Sequence, residues 1–207
     1  MATKANSFPI LTLNRELRSA IKPKNDLLLE LDYNSAELRA FLGLVGELQP
    51  KNDLHSWIAK DVFSDKYSRE QTKKKVFAWL YNPKASNKKL NDRFNRELAL
   101  KKYYVNGHVK TPYNRQIQVD QSKALNYLIQ STASDLFLTS MIKVDKFLKG
   151  RRSFVSFCVH DSLILDLAKE DKDIITKAVD IFSTTKLGKF KTNISIGLDY
   201  GSMKRLR

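Results

Sequence analysis

Apolar positions along this chain fall into two periods, one suited to strands and one to helices. Leu27–Tyr33 (LLLELDY) is a short apolar run between Asn25-Asp26 and Asn34-Ser35, and predicts a buried strand with an aspartate near its end. Ser35–Val45 predicts a helix capped by Ser35; Asp53–Phe63 predicts another, and Ser68–Leu80 a third, closed by Pro83. Ser86–Tyr104 reads as one long basic amphipathic helix, and Gly107–Val119 as turn and strand. Asp120–Leu148 predicts a long helix, capped by Asp120 and ended by Gly150. Phe154–Cys158 and Leu163–Leu167 are apolar strands around Val159-His160-Asp161-Ser162, a tight hairpin with a polar tip. Asp171–Phe182 predicts a helix and Asn193–Leu198 a closing strand. The fold class is α+β: a small antiparallel sheet against helices, with a helical insertion near Ser64–Tyr104.

Length and composition narrow this picture. With 207 residues and 42% hydrophobic content, the chain can bury one sizeable core with a modest helical appendage. Seven glycines and five prolines leave few breakers, in keeping with helices. The net charge of +15 attracts a polyanion by Coulomb force and counterion release. A basic ribosomal-type protein carries the same signal. One cysteine, Cys158, excludes an intrachain disulfide. The N-terminus lacks a signal-peptide pattern, and no apolar run approaches a membrane span, so the chain reads as soluble and cytoplasmic.

Two features carry candidate chemistry. Asp32 ends a greasy strand and Asp161 sits at the tip of a greasy hairpin. A carboxylate beside a buried strand is costly unless paired or bound to a cation. If the strands are neighbours, both carboxylates meet at one sheet edge, and divalent metal ions would relieve their repulsion. Turn and cap aspartates fit the same spacing. Arg69, Lys73, Phe77 and Tyr81 recur every fourth residue, which puts them on one helical stripe. Cations bind phosphates and aromatics stack on bases. An amphipathic helix with Phe77 and Tyr81 in a core is the other reading.

The segments around these residues resemble family A (Pol I-like) DNA polymerases. LDYNSAELRAFL (Leu31–Leu42) is similar to motif A, DYSQIELR, matching at Asp32, Tyr33, Glu37, Leu38 and Arg39. SREQTKKKVFAWLYN (Ser68–Asn82) resembles motif B at Arg69, Lys73, Phe77 and Tyr81, with Asn82 in place of a glycine. FCVHDSLIL (Phe157–Leu165) resembles motif C at His160 and Asp161. NYLIQSTASDLF (Asn126–Phe137) is similar to the NxxxQGTAAD segment, NDLHSW (Asn52–Trp57) to the D-x-H segment, and GHVKTPYNRQI (Gly107–Ile117) to the G-Y-V-x-T turn. The closing strand with Asp199-Tyr200-Gly201 is similar to the family's C-terminus. All stand in the family's order.

The resemblance implies a polymerase palm with a small antiparallel sheet and a trimmed helical fingers insertion, without thumb or exonuclease domain. It implies palm at 1–63, fingers at 64–105 and palm again at 106–207. Asp32, Asp161 and the carbonyl of Tyr33 would hold two Mg2+ ions. Arg69 and Lys73 would grip a dNTP's triphosphate, with Lys73 protonating the leaving group and His55 adding a phosphate contact. Phe77 would stack on the nucleotide, Tyr81 would sit by the templating base, and Glu37 would crowd the 2′ position. Arg18, Asn126, Gln130 and His160 would touch primer–template DNA.

Some positions depart from the pattern. Ser162 stands where motif C has Glu, as it does in the single-subunit phage RNA polymerases, while Glu37 favours DNA. Ser122, beside Lys123, replaces an arginine, and Ser131 replaces a glycine. Ahead of motif A only Ser7–Ile21 (SFPILTLNRELRSAI) is similar to the family, keeping Pro9, Arg15 and Arg18. The expectation is therefore a split DNA polymerase, with a second subunit supplying thumb, remaining palm and proofreading. An RNA-polymerase remnant and a non-catalytic DNA-binding scaffold are the alternatives.

Overall fold

The computed structural model describes residues 10–82 and 84–206. Pro9 and Pro83, singled out above, lie outside the described residues, as does the side chain of Arg15. The strands are β1 (Leu27–Tyr33), β2 (Tyr104–Val105), β3 (His108–Lys110), β4 (Gln116–Gln118), β5 (Phe154–Val159), β6 (Ser162–Leu167), β7 (Thr184–Thr185), β8 (Gly188–Lys189), β9 (Thr192–Gly197) and β10 (Lys204–Arg205). The α-helices are α1 (Ala36–Leu44), α2 (Leu54–Asp61), α3 (Arg69–Tyr81), α4 (Lys88–Arg93), α5 (Arg96–Tyr103), α6 (Gln121–Leu148) and α7 (Ile175–Ser183). The expected α+β class holds: helices combine with small antiparallel sheets.

The chain divides into two compact units. One holds the described residues up to Tyr33, Thr139–Thr184, and those from Thr192 onward. Its sheet runs β10-β9-β1-β6-β5, every pair antiparallel. β1 lies centrally, with buried leucines on both faces: Leu29 and Leu31 on one, Leu28 on the other. Each fully buried leucine contributes roughly 2 kcal/mol. On the first face Tyr33 stacks on Phe182 of α7, ring centroids 4.2 Å apart, and its hydroxyl donates to the Phe182 carbonyl at 2.6 Å. On the second, Leu28, Val159, Ile164 and Tyr200 form a small cluster.

The other unit, Asn34–Leu138 with Thr185–Lys191, is mostly helical. Its core gathers Leu38, Phe41 and Leu42 from α1, Leu54 and Ile58 from α2, Val76, Trp79 and Leu80 from α3, and Ala124, Leu128 and Ile129 from α6. α3 begins where Ser68 and Gln71 form a capping box. Ribbon β2-β3-β4 follows α5.

Three elements differ from expectation. The single helix at Ser86–Tyr104 is two, because Phe94 turns extended into the core and Asn95 caps a new helix, accepting from Glu97 N and Leu98 N at 3.0 and 3.1 Å. The helix at Asp171–Phe182 begins as a 3-10 turn, Lys169–Ile174, with Asp171 off helical angles. Asp171 accepts from Ser153 N at 2.8 Å, and that bond competes with a regular first turn. Ser35 precedes α1 but does not cap it with its side chain; it adopts a left-handed φ of 59°.

Candidate active site

Asp32 ends the row of β1 that begins with buried Leu28. Strand alternation puts Leu28, Glu30 and Asp32 on one face, opposite Leu29, Leu31 and Tyr33. In register, Asp32 pairs with Ser162 of β6 and Asn193 of β9. Its two oxygens accept from Ser162 Oγ at 3.0 Å and Asn193 Nδ2 at 2.9 Å, both uncharged donors. Arg205 donates in turn to Asn193 Oδ1.

Asp161 immediately precedes Ser162 in the tight turn between β5 and β6, where His160 takes a left-handed φ of 54°. The pairing Asp32↔Ser162 therefore brings the two aspartates together: one cross-strand step plus one chain step keeps their Cα atoms within about 9 Å. The strand adjacency on which the sequence expectation was conditional is present. Asp166, further along β6, is different: it is 2% exposed and accepts from the backbone N–H groups of Lys24 and Asn25 at 2.6 and 2.9 Å.

A second carboxylate on the Asp32 face of β1 escaped the sequence reading. Glu30 stands two residues before Asp32 and opposite Ser195. Burial first, and then Asp32, raise its carboxyl above the usual range, against hydrogen bonds from Ser195 and Ser162. The period-2 pattern of LLLELDY was the available signal. Among the described residues, no group of three or more His, Cys, Asp and Glu side chains gathers as a metal cluster. The carboxylate oxygens of Asp32 and of Asp161 are each hard donors of the kind Mg2+ takes.

Arg18 belongs to the same unit. Its guanidinium lies over the Tyr200 ring at 5.3 Å, and Nε donates to the Leu13 carbonyl at 3.4 Å.

The second unit carries the stripe on α3. Arg69 and Lys73 are exposed; Phe77 and Tyr81 are half-buried and stacked, centroids 5.7 Å apart at 17°. The Tyr81 hydroxyl donates to Glu37 Oε2, joining the motif A and motif B segments. Burial, then Glu37, pushes the Tyr81 phenol above its ordinary value. Asn126 of α6 donates to the Tyr81 carbonyl at 3.4 Å, and Gln130 lies exposed one turn further on.

Arg69 is engaged. Its Nε and Nη2 pair with the two Asp53 oxygens, each at 3.0 Å, and Nη1 pairs with Glu70. Burial alone would raise the Asp53 carboxyl, but bonds from Arg69, Asn34 and Ser56 hold it well below the usual range.

His55 departs from expectation. Its side chain is 1% exposed and its ring lies 5.8 Å from that of Phe77, so it presents no surface to a phosphate. Burial, with Arg69 and Lys73 nearby, depresses it to about 4, so the ring is neutral at neutral pH. It is packing beneath the stripe. Arg39, matched in motif A without an assigned role, is wholly buried and binds the carbonyls of Asn34, Pro50 and Asn52 at 2.7, 2.9 and 2.9 Å.

Comparison with known proteins gives the same direction. The model of "DNA polymerase family A" matches residues 84–203. A DNA polymerase of Mycobacterium phage D29 is 25% identical over 70% of this chain and 29% of its own length. DNA polymerase I of Caldicellulosiruptor bescii is 27% identical over 74% of this chain and 24% of its own. A DNA polymerase of Bacillus phage SP01 is 25% identical over 85% and 25%. The chain thus spans roughly a quarter of the length of the curated relatives it matches. Among solved structures, the POL domain of Pol1 from M. smegmatis, in complex with DNA primer-template and dNTP, has a similar fold: TM-score 0.72 at 21% identity, over 91% of this chain and 43% of that one.

Proposed function

Since the chain belongs to DNA polymerase family A, we propose that it is the nucleotidyl-transfer core of a template-directed DNA polymerase. The observation that carries this reading is the β1–β6 register, which sets Asp161 one residue from the cross-strand partner of Asp32.

Asp32, Asp161 and the Tyr33 carbonyl would hold two Mg2+ ions, which when bound activate the attacking oxygen and neutralise phosphate charge. The chain's own residues do the positioning. Ser162 and Asn193 fix both oxygens of Asp32 with neutral hydrogen bonds, leaving its charge uncancelled. Arg69 and Lys73 take the triphosphate of a dNTP, and Lys73 protonates the departing pyrophosphate. Phe77 stacks on the base, its ring backed by His55. Tyr81, tied to Glu37, borders the templating position. Glu37 crowds a 2′-hydroxyl and so selects deoxyribose. Asn126, Gln130, His160 and Arg18 contact primer–template DNA. Such catalysis is mainly orientation and charge neutralisation.

In this reading residues 1–63 and 106–207 serve as palm and 64–105 as fingers. The protein acts in the cytoplasm. The test is magnesium-dependent primer extension by the co-purified native complex, with and without Asp161→Asn. Extension that survives the substitution refutes the catalytic assignment. Ser162 favours one alternative, an RNA polymerase remnant; separate dNTP and rNTP reactions distinguish it.

A further inference from the structure

The two carboxylates on Arg69 are held in very different ways. Asp53 is anchored. It caps α2, accepting from Ser56 N at 2.9 Å and Ser56 Oγ at 3.0 Å, and takes Asn34 Nδ2 at 2.9 Å. Asn34 is itself fixed: its Oδ1 accepts from Leu54 N at 3.1 Å and from Arg39 Nη2 at 3.4 Å. Arg39 is wholly buried. A continuous chain, Arg39 to Asn34 to Asp53, therefore ends on the Nε–Nη2 edge of Arg69. Glu70 holds Nη1 from the neighbouring position on α3, with a side chain 68% exposed.

We propose that Asp53 is a positioning residue that holds Arg69 side-on, so that Nη1 faces outward for a phosphate oxygen, and that Glu70 occupies that edge as a displaceable stand-in. This rests on the reading of α3 as a triphosphate site. A bidentate guanidinium–carboxylate pair fixes the plane of the guanidinium, not only its position. An exposed pair between adjacent side chains is weak, and a polyphosphate brings several charges to the same edge. Exchange of Glu70 for phosphate is therefore favourable, whereas exchange of Asp53 would break every bond in its anchor. Asp53's negative charge pulls the opposite way, since it repels an anion. The sign of its substitution decides which effect dominates.

The experiment is calorimetric titration of the full chain with sodium tripolyphosphate, without metal, at moderate salt. Asp53→Asn keeps an acceptor for Ser56 but loses the charged pair, and is expected to weaken binding about 10-fold. Glu70→Gln, at an exposed position, is expected to tighten it about 3-fold. Equal or tighter binding by Asp53→Asn overturns the positioning role. Equal or weaker binding by Glu70→Gln overturns the stand-in role. In the unsubstituted chain, the Arg69 Nε–H resonance should stay protected from exchange when tripolyphosphate binds; lost protection contradicts the proposal even if Asp53→Asn fails to fold. Arg69→Gln and Lys73→Gln separate the failures. If neither weakens binding, or the unsubstituted chain does not bind, the triphosphate reading of α3 is wrong. If both weaken it while Asp53→Asn does not, only the present inference is wrong.

Discussion

Acidification from pH 7 to pH 4 should destabilise the protein through His55. The ring is 1% exposed, and its ionisation is depressed from 6.5 to about 4. An unfolded chain takes up the proton near pH 6.5, whereas the folded chain resists until about pH 4. Between those values the unfolded state binds more protons, so stability falls as pH falls. At about 1.4 kcal/mol per pH unit, the full loss is about 3 kcal/mol. For a chain of this size that is about 6–12 °C in Tm. Asp53, Glu70, Arg69 and Lys73 are the charged groups around the ring. Asp53 is held below the usual carboxylate range, so it titrates below this window. Urea unfolding from pH 7.5 to 4.0, on the unsubstituted chain and on His55→Leu, isolates the effect, because the variant lacks only this group. Following the His55 ring protons by NMR gives the ionisation directly. Parallel stability slopes for both proteins, or a His55 midpoint at or above 6, would refute the reasoning.

Other outcomes follow from single contacts. Arg39→Met removes the donors to the carbonyls of Asn34, Pro50 and Asn52, and should cost about 1–3 kcal/mol in urea unfolding. Asn95→Ala removes the cap on Glu97 N and Leu98 N and should cost about 1 kcal/mol by the same measurement. Glu37→Ala should return the Tyr81 phenol toward its ordinary ionisation, read by phenolate absorbance, and relax discrimination against rNTPs in primer extension.

Local chemistry made much of this fold legible. β1 has the boundaries expected because polar pairs close its apolar run on both sides. α3 starts one residue after the expected helix start at Ser68, because Ser68 and Gln71 satisfy the first turn by themselves as a capping box. The break at Asn95 was hidden, since asparagine in a basic helical pattern looks like a solvated position and only its bonds to Glu97 N and Leu98 N reveal a cap. The pairing of the strands that lead to Asp32 and Asp161 was legible only conditionally: the sequence did not say that β1 and β6 are neighbours, and register comes from packing. The Arg39–Asn34–Asp53–Arg69 chain was not legible at all, because hydrogen bonds between residues 16 apart leave no periodic trace. His55 was misread for a related reason: its sequence position does not reveal that its ring turns beneath Phe77.

The proposed function requires Asp32 and Asp161 to act together on divalent cations. Mn2+ titration of the intact chain, followed by electron paramagnetic resonance, reads this without any turnover. Binding that is abolished by Asp32→Asn and by Asp161→Asn alike, with both variants still folded by circular dichroism, is the predicted result. Mn2+ bound equally well by either variant, or by the unsubstituted chain at a place neither residue affects, would contradict it.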